Sequence, residues 1–148
     1  MRPEETFDFQ IRKGWISLSK MYNDLVQPHG ITTSVGFALL NIDVKKGTPS
    51  TALGPKMGME PTSLSRMLKS MEKQGLVFKE ANPLDKRSVL IKLTEEGGHK
   101  RNLSREAVLQ FNQAVQAVVG EEQRSTFFET LDKIQGITQE LRLSKEEL

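Results

Sequence analysis

The sequence contains no cysteine and only two histidines among its 148 residues. Without cysteine the chain cannot use thiol catalysis, disulfides, iron–sulfur clusters or zinc ribbons. A metal site needs several histidine and carboxylate ligands close together, whereas His29 and His99 lie far apart in the sequence. We therefore expect no metal ion and no other cofactor.

Long apolar runs are also absent. The longest uncharged segment, residues 25–42, is interrupted by Pro28, Gly30 and several polar residues, so it cannot span a bilayer. The first ten residues, MRPEETFDFQ, are charged and lack the apolar stretch of a secretory signal. We expect a cytoplasmic protein without a membrane partner.

Catalytic motifs are missing as well. Serine, histidine and aspartate all occur, but there is no nucleophile motif, no glycine-rich phosphate loop and no pair of carboxylates at catalytic spacing. The chain has the length of one domain, and its 36% of hydrophobic residues can build a core without disulfides. We therefore expect a protein that is not an enzyme.

Charge of one sign dominates only in the middle of the chain. The whole sequence carries 21 Lys and Arg against 19 Asp and Glu, a net charge of +2. Residues 45–105 hold 13 of the cations and 6 of the anions, a net charge of +7, so the flanking segments sum to −5. A basic centre between acidic ends predicts an anionic partner for the middle, with nucleic acid as the first candidate.

The spacing of apolar residues predicts three helices before the middle of the chain. Apolar residues recur every three or four positions over residues 11–26, and the segment QPHG ends that helix. A second helix is predicted over residues 33–45, with the lysine and glycine at 46 and 47 closing it. A third, short helix is predicted over residues 48–57, with Thr48 as its N-cap.

The segment MEPTSLSRMLKSMEKQG predicts a fourth helix, which starts at Pro61 and stops at Gly75. Its opposite faces differ, because one is polar and basic and the other is formed by Leu64, Met67, Leu68 and Met71. Two short runs rich in branched residues, LVFKEA and VLIKLT, predict a hairpin with the turn NPLDKRS. A long helix after Thr94 and a last helix after Gly120 complete the chain.

This order of elements predicts a mainly α fold with a small β-hairpin wing, a winged helix-turn-helix. In that motif the second helix lies in the DNA major groove, and small residues at its start permit close approach. We predict DNA contacts from Pro61, Thr62, Ser63, Ser65, Arg66 and Lys69 in the helix, and from Lys86 and Arg87 in the wing. Asp85 is predicted to orient Arg87.

Two alternatives remain for these residues. The polar face of the helix could simply be solvated, and Arg87 could pair with Asp85 instead of contacting DNA. The choice between base and phosphate contacts stays open for each residue of the helix, because the same side chains serve both. We favour a minor-groove or phosphate contact for Arg87 and a phosphate contact for Lys86.

Two sequence elements lie at a characteristic separation. The first is LSR at 64–66 followed by MEKQGL at 71–76, and the second is DKR at 85–87 followed by LTEEG at 93–97. Together they resemble the recognition helix and the wing of the MarR family, the multiple-antibiotic-resistance regulators, which are bacterial winged-helix transcription factors. The resemblance extends over about residues 10–142.

The resemblance implies a homodimer that binds a pseudo-palindromic operator in double-stranded DNA and acts as a repressor. It implies a single domain, residues 1–148, with a DNA-binding lobe at about 31–100 and dimerisation helices at about 5–28 and 101–148. The apolar residues are consistent with a homodimer, because the terminal segments hold more apolar positions than a lone winged domain needs to bury. The residues expected at the subunit boundary are Phe7, Phe9, Phe127, Phe128, Ile134 and Leu141.

The family often binds small phenolic or lipophilic effectors. Trp15 and Tyr22, seven residues apart on one helical face, could line such an effector pocket, and the alternative is a packing role. The absence of cysteine excludes the thiol-oxidation switch of some family members. The alternative function is a winged-helix protein–protein interaction module without operator specificity, against which the basic centre argues.

Overall fold

The computed structural model describes residues 1–146 of the chain. These residues form six α-helices and three short strands, and none of these helices is both long and apolar enough to cross a membrane. The chain divides into two compact units, the first being Met1–Val108 and the second beginning at Leu109. The first unit contains all three strands and is described before the second.

The first helix, α1, spans Phe7–Val26 and begins four residues before the apolar spacing predicted. Its N-terminus is capped by the Thr6 hydroxyl, which accepts a hydrogen bond from the Phe9 N–H at 3.3 Å. A short 3-10 helix, Gln27–His29, follows it, and Gly30 then takes a φ of 77°. The predicted stop at QPHG is confirmed, since glycine adopts this left-handed conformation without a steric penalty.

The second helix, α2, spans Thr33–Leu40, so the predicted extension to residue 45 is wrong. The carboxylate Oδ1 of Asp43 accepts hydrogen bonds from the N–H groups of Lys45 and Lys46 at 2.9 and 2.7 Å. These bonds offer the backbone a turn in place of another helical turn. Gly47, with a φ of 72°, therefore closes this turn and not the helix.

The predicted helix start at Thr48 is also wrong, because Thr48–Pro49 forms a short strand, β1. This strand pairs antiparallel with residues 89–93. The Thr48 hydroxyl accepts a hydrogen bond from the Asp43 N–H at 2.9 Å, so it holds the preceding turn and does not cap a helix. Helix α3, Ser50–Met57, begins directly after the strand.

A tight turn joins α3 to the next helix, α4, which spans Pro61–Lys73 as predicted. Gly58 has a φ of 62°, and the Met59 N–H donates to the Gly54 carbonyl at 3.0 Å. Three residues, 58–60, thus join the two helices. This places α3 and α4 as the two helices of a helix-turn-helix.

The predicted hairpin consists of β2, Val77–Ala81, and β3, Val89–Leu93. The strands are antiparallel, with Val77 opposite Leu93 at one end and Ala81 opposite Val89 at the other. Because β1 pairs with the outer side of β3, the sheet has three strands in the order β1-β3-β2, one more than the sequence predicted. The mainly α, winged-helix fold class is confirmed.

Helix α5, Glu95–Gln116, is fixed to the sheet at its first turn. The Thr94 hydroxyl accepts a hydrogen bond from the Gly97 N–H at 3.0 Å and donates to the Gly75 carbonyl at 2.6 Å. The backbone approaches so closely here that a Cβ on Gly97 would lie 1.9 Å from the Leu76 carbonyl oxygen. Only glycine fits this position without a shift of the backbone.

The first unit has a closed hydrophobic core. Side chains from α1 through β3 contribute to it, and the most deeply buried are Leu39, Ile42, Leu53, Met71 and Ile91. The apolar face predicted for α4 is confirmed, since Leu64, Leu68 and Met71 are buried and Met67 packs against the core. The core therefore fixes which face of α4 points to solvent.

The second unit contains the end of α5 and helix α6, Glu121–Glu146. No described side chain of α6 is buried, although apolar residues recur along its whole length. Its exposed large apolar residues are Phe127, Phe128, Ile137, Leu141 and Leu143. This unit lacks the closed core that the first unit possesses.

Candidate nucleic-acid interface

Helix α4 has two faces of opposite character. The residues predicted to contact DNA all lie on its solvent side, and they are Pro61, Thr62, Ser63, Ser65, Arg66 and Lys69. The side chains nearest its start are small, and the long cations follow one and two turns later. Such a face can approach a nucleic-acid groove closely while its cations reach phosphates or base edges.

The N-terminus of α4 also favours negative charge. Pro61 occupies the first turn, and Glu60, the N-cap residue, makes no side-chain capping hydrogen bond. The first N–H groups of the helix thus receive no hydrogen bond from the Glu60 side chain, and the exposed hydroxyl side chains of Thr62 and Ser63 lie in the same first turn. Together with the helix dipole these groups form a surface that attracts phosphate.

Ion pairs separate the cations of the basic centre into two groups. Lys79 lies 3.6 Å from Glu72, Lys92 contacts Glu80, and Lys100 lies 3.5 Å from Glu96, so these charges are partly neutralised. Within residues 1–146, Arg66 and Lys69 on α4 and Lys86 and Arg87 in the wing form no ion pair. The four predicted contact cations are thus unpaired there, as are six other cations of residues 45–105, namely Lys45, Lys46, Lys56, Lys73, Arg101 and Arg105.

The tip of the wing, residues 82–88, is held by two short polar side chains. Asn82 accepts a hydrogen bond from the Leu84 N–H at 3.0 Å and donates to the Ser88 hydroxyl at 3.0 Å. The Asp85 carboxylate accepts a hydrogen bond from the Arg87 N–H at 2.9 Å. In the turns that begin at Asn82 and Asp85, a side-chain oxygen thus accepts a hydrogen bond in place of a backbone carbonyl.

The Asp85 carboxylate thus contacts the backbone of Arg87 and forms no ion pair with its guanidinium in the described part of the chain. Lys86 and Arg87 are both exposed at the tip. Asp85 can therefore shape the backbone from which Arg87 projects while leaving the guanidinium charge available. The simple Asp85–Arg87 ion pair, the alternative considered above, is not formed.

Leu84, which the spacing of apolar residues did not indicate as a contact residue, is 94% exposed at the tip of the wing. An apolar side chain in a turn is ordinarily expected to fold back onto the core, and spacing alone does not show that it projects. The signal was its position between Asn82-Pro83 and Asp85-Lys86-Arg87, where both flanks are turn-forming or charged. Leucine is among the side chains that insert between base steps in minor grooves.

The two aromatic residues predicted near an effector pocket both contact Phe37. Trp15 is 52% exposed and stacks on the Phe37 ring at 6.1 Å between centroids, whereas buried Tyr22 meets that ring edge-on at 5.9 Å. Tyr22 lines a cavity of about 10 Å³ beside Gly36 and Ser104, and Trp15 does not line it. The cavity has room for about one water molecule.

Comparisons with known proteins agree with this geometry. The MarR family model matches residues 31–89. The organic hydroperoxide resistance transcriptional regulator of Bacillus subtilis (strain 168) is 32% identical over 97 residues, which cover 66% of this chain and 66% of that protein. The matched region thus spans just under two thirds of that relative's length.

Two solved structures show the same fold. The MepR–DNA complex of S. aureus superimposes with a TM-score of 0.81 at 16% identity, covering 88% of this chain and 97% of that one. The transcriptional repressor CouR, bound to a 23-mer DNA duplex, superimposes with a TM-score of 0.75 at 20% identity, covering 89% and 94%. The family model, the sequence relative and the winged helix-turn-helix geometry agree, and the chain belongs to the MarR family.

Proposed function

We propose that this chain is a sequence-specific regulator of transcription that binds double-stranded DNA in the cytoplasm as a homodimer. The observation that carries the proposal is the solvent face of α4, where small polar side chains and unpaired cations stand opposite a deeply buried apolar face. Support comes from MepR and CouR, two proteins of this fold whose structures contain DNA. A repressor that occludes a pseudo-palindromic operator fits this arrangement best.

Each element has a distinct role in the proposed complex. Helix α4 enters the major groove of the DNA. Its first residues, Pro61, Thr62 and Ser63, lie closest to the DNA backbone. Ser65, Arg66 and Lys69 reach base edges or phosphates. The wing follows the adjacent strand, where Arg87 enters the minor groove or contacts its phosphates and Lys86 contacts a phosphate. Asp85 holds the wing backbone, and Leu84 is added to the predicted contacts because of its exposure.

The dimer is proposed from the apolar residues that the chain leaves uncovered. Phe7 is 71% exposed in α1, and Phe127 and Leu141 are 57% and 62% exposed in α6. Exposed apolar surface of this extent marks an interaction site, and a second copy covers it most simply by two-fold symmetry. The two recognition helices of such a dimer would meet half-sites about one helical turn apart, roughly 10 bp.

An effector, if the protein has one, is proposed to act at the cavity beside Tyr22. The cavity is too small for an organic ligand in this conformation, so entry requires a lining side chain such as the Phe37 ring to move. A ligand can shift the protein only if it binds the DNA-competent and incompetent forms with different affinities. Burial raises the pKa of the Tyr22 hydroxyl above its usual value.

The test is a selection of bound duplexes from a random library, followed by anisotropy titrations of the selected duplex and of a scrambled one. We expect a pseudo-palindromic consensus, binding by two chains per duplex, and an affinity that falls steeply with salt because phosphate contacts release counterions. Failure to enrich any sequence, with no salt-dependent binding to a random duplex, would favour a protein–protein interaction module.

A further inference from the structure

A second concave surface lies in the first unit, away from Tyr22 and from the solvent face of α4. It is a cleft of about 450 Å³ formed by the turn after α2, the last turn of α3 and the first half of α5. These three elements bring together the side chains of Lys45, Lys56 and Arg101. The volume falls in the range of small-molecule sites in proteins, and an inorganic ion alone would not fill it.

The three cations of this cleft carry charges that no carboxylate of the described residues pairs with. Neither Lys45, Lys56 nor Arg101 forms an ion pair within residues 1–146. The Nε of Arg101 is moreover buried and has no hydrogen-bond acceptor among the described residues. Burying this N–H without an acceptor is costly, so packing and not a protein anion holds the Arg101 side chain at the cleft.

One carboxylate also lines the cleft, that of Asp43, and it is already occupied. Its Oδ1 accepts the N–H groups of Lys45 and Lys46 at 2.9 and 2.7 Å, and these two bonds lower the pKa of Asp43 below its usual value. Asp43 therefore carries a full charge that stabilises the turn, and it lies beyond ion-pair distance of the cations. The lining keeps a net charge of +2.

We propose that this cleft binds a small organic ligand bearing an oxyanion, either a carboxylate or a phosphate. The guanidinium of Arg101 supplies the directional contact, since its planar N–H groups match an oxyanion, and Lys45 and Lys56 add charge at the rim. Apolar side chains of Leu40 and Val44 in the same lining would contact the organic part. This site is separate from the DNA contacts and does not rest on them.

The proposal is tested by nitrogen–proton NMR titrations of the full chain with inorganic phosphate and, separately, with benzoate, at constant ionic strength set with chloride. We expect saturable shifts at the amides of residues 43–45 and 101, with the tighter probe showing whether the oxyanion is a phosphate or a carboxylate. Shifts that grow linearly without saturation for both probes would overturn the proposal.

Variants separate this site from a general effect of charge. Arg101→Met keeps the aliphatic length of the side chain and should weaken the better probe by about tenfold, and Lys56→Met should weaken it by a smaller factor. Arg105→Met is the matched control, because Arg105 is exposed on the same helix and does not line the cleft. Equal losses in Arg101→Met and Arg105→Met would contradict the assignment, and circular dichroism melts verify that each variant is folded.

A further arm of the experiment examines DNA. If Arg101→Met lowered the affinity for a random duplex while neither small probe saturated, the cleft would be a contact for the DNA backbone, and the small-ligand proposal would be wrong. We expect the opposite result, with duplex affinity unchanged and saturation by at least one probe.

Discussion

The two units of the chain treat their apolar residues differently. In the first unit helices, turns and sheet enclose one core, and five large side chains are almost fully inaccessible to solvent. In the second unit α6 runs for 26 residues without a buried side chain among those described, although phenylalanine, isoleucine and leucine recur along it. The first unit has a closed core, although Phe7, Trp15 and Ile16 of α1 stay exposed, whereas the described part of the second unit has no buried side chain.

The first unit supports the proposed DNA contacts, and the second unit supports the proposed dimer. The closed core fixes the orientation of α4, so the solvent face of the recognition helix is determined within a single chain. In the proposed dimer, a second copy covers the apolar surface of α6. Mutations in the core of the first unit should therefore affect folding of the monomer and those on the solvent face of α4 should affect DNA contacts, whereas mutations of exposed apolar residues in α6 should affect association.

The largest effect is expected from the same substitution made in both units. Leu39 is completely buried, so Leu39→Ala should lower the free energy of unfolding by about 2–5 kcal/mol at any protein concentration. Leu141 is 62% exposed in the single chain, so Leu141→Ala should destabilise only through association. Chemical denaturation at two protein concentrations measures both. A concentration-independent loss of equal size in Leu141→Ala would contradict the comparison.

The second prediction concerns adjacent glycines at the start of α5. A Cβ on Gly97 would collide with the Leu76 carbonyl oxygen, and Gly97→Ala should cost about 3 kcal/mol of unfolding free energy. A Cβ on Gly98 would meet nothing within 4 Å, so Gly98→Ala should stabilise the helix by about 0.5–1 kcal/mol. Thermal unfolding of both variants tests this contact. Similar effects in the two variants would show that the helix does not approach the sheet closely.

The third prediction addresses the solvent face of α4. Arg66→Ala should weaken binding to the selected duplex by about 1–3 kcal/mol, with little change in stability because Arg66 is exposed. Arg142→Ala removes an exposed cation from α6 and serves as the control. If the affinities for selected and scrambled duplexes fall equally, Arg66 contacts a phosphate. If only the selected duplex is affected, it contacts a base. No loss for either duplex would remove Arg66 from the interface.

The smallest effect is expected at Asp85, because its carboxylate supports the wing through a hydrogen bond to the backbone N–H of Arg87. Asp85→Ala removes the acceptor for the Arg87 N–H and should weaken duplex binding by about 1 kcal/mol. Asp85→Asn keeps an acceptor oxygen at the same place and should retain most of the affinity. Anisotropy titrations compare the two variants. Tighter binding by both would instead indicate that the negative charge of Asp85 repels the DNA backbone.

The sequence predicted the elements that follow a strong period. The apolar face of α4, the stop at Gly30 and the hairpin all follow from local patterns of apolar residues, glycine and proline. These patterns also placed the recognition helix and the wing in their correct order. Local information sufficed there because each signal is repeated over two or more turns or along both strands.

The errors arose where a polar side chain competes with the helix or where a distant strand decides the structure. The turn after α2 forms because Asp43 accepts backbone N–H groups, and the apolar run before it gave no sign of this competition. Strand β1 is only two residues long and exists through its pairing with β3, which lies about forty positions further along the chain. The exposure of Leu84 and the unsatisfied Nε of Arg101 likewise depend on tertiary surroundings.

The central claim is that unpaired cations on α4 and in the wing contact the phosphates and bases of a DNA duplex. It is tested most directly by the dependence of duplex affinity on salt, measured for the wild-type chain and for Arg87→Ala. We expect the Arg87→Ala variant to bind the duplex more weakly than the wild-type chain and to remain a dimer. The slope of log affinity against log salt should become less steep by about one for each wing, because one phosphate contact per wing is lost. Unchanged affinity and an unchanged slope would contradict the claim.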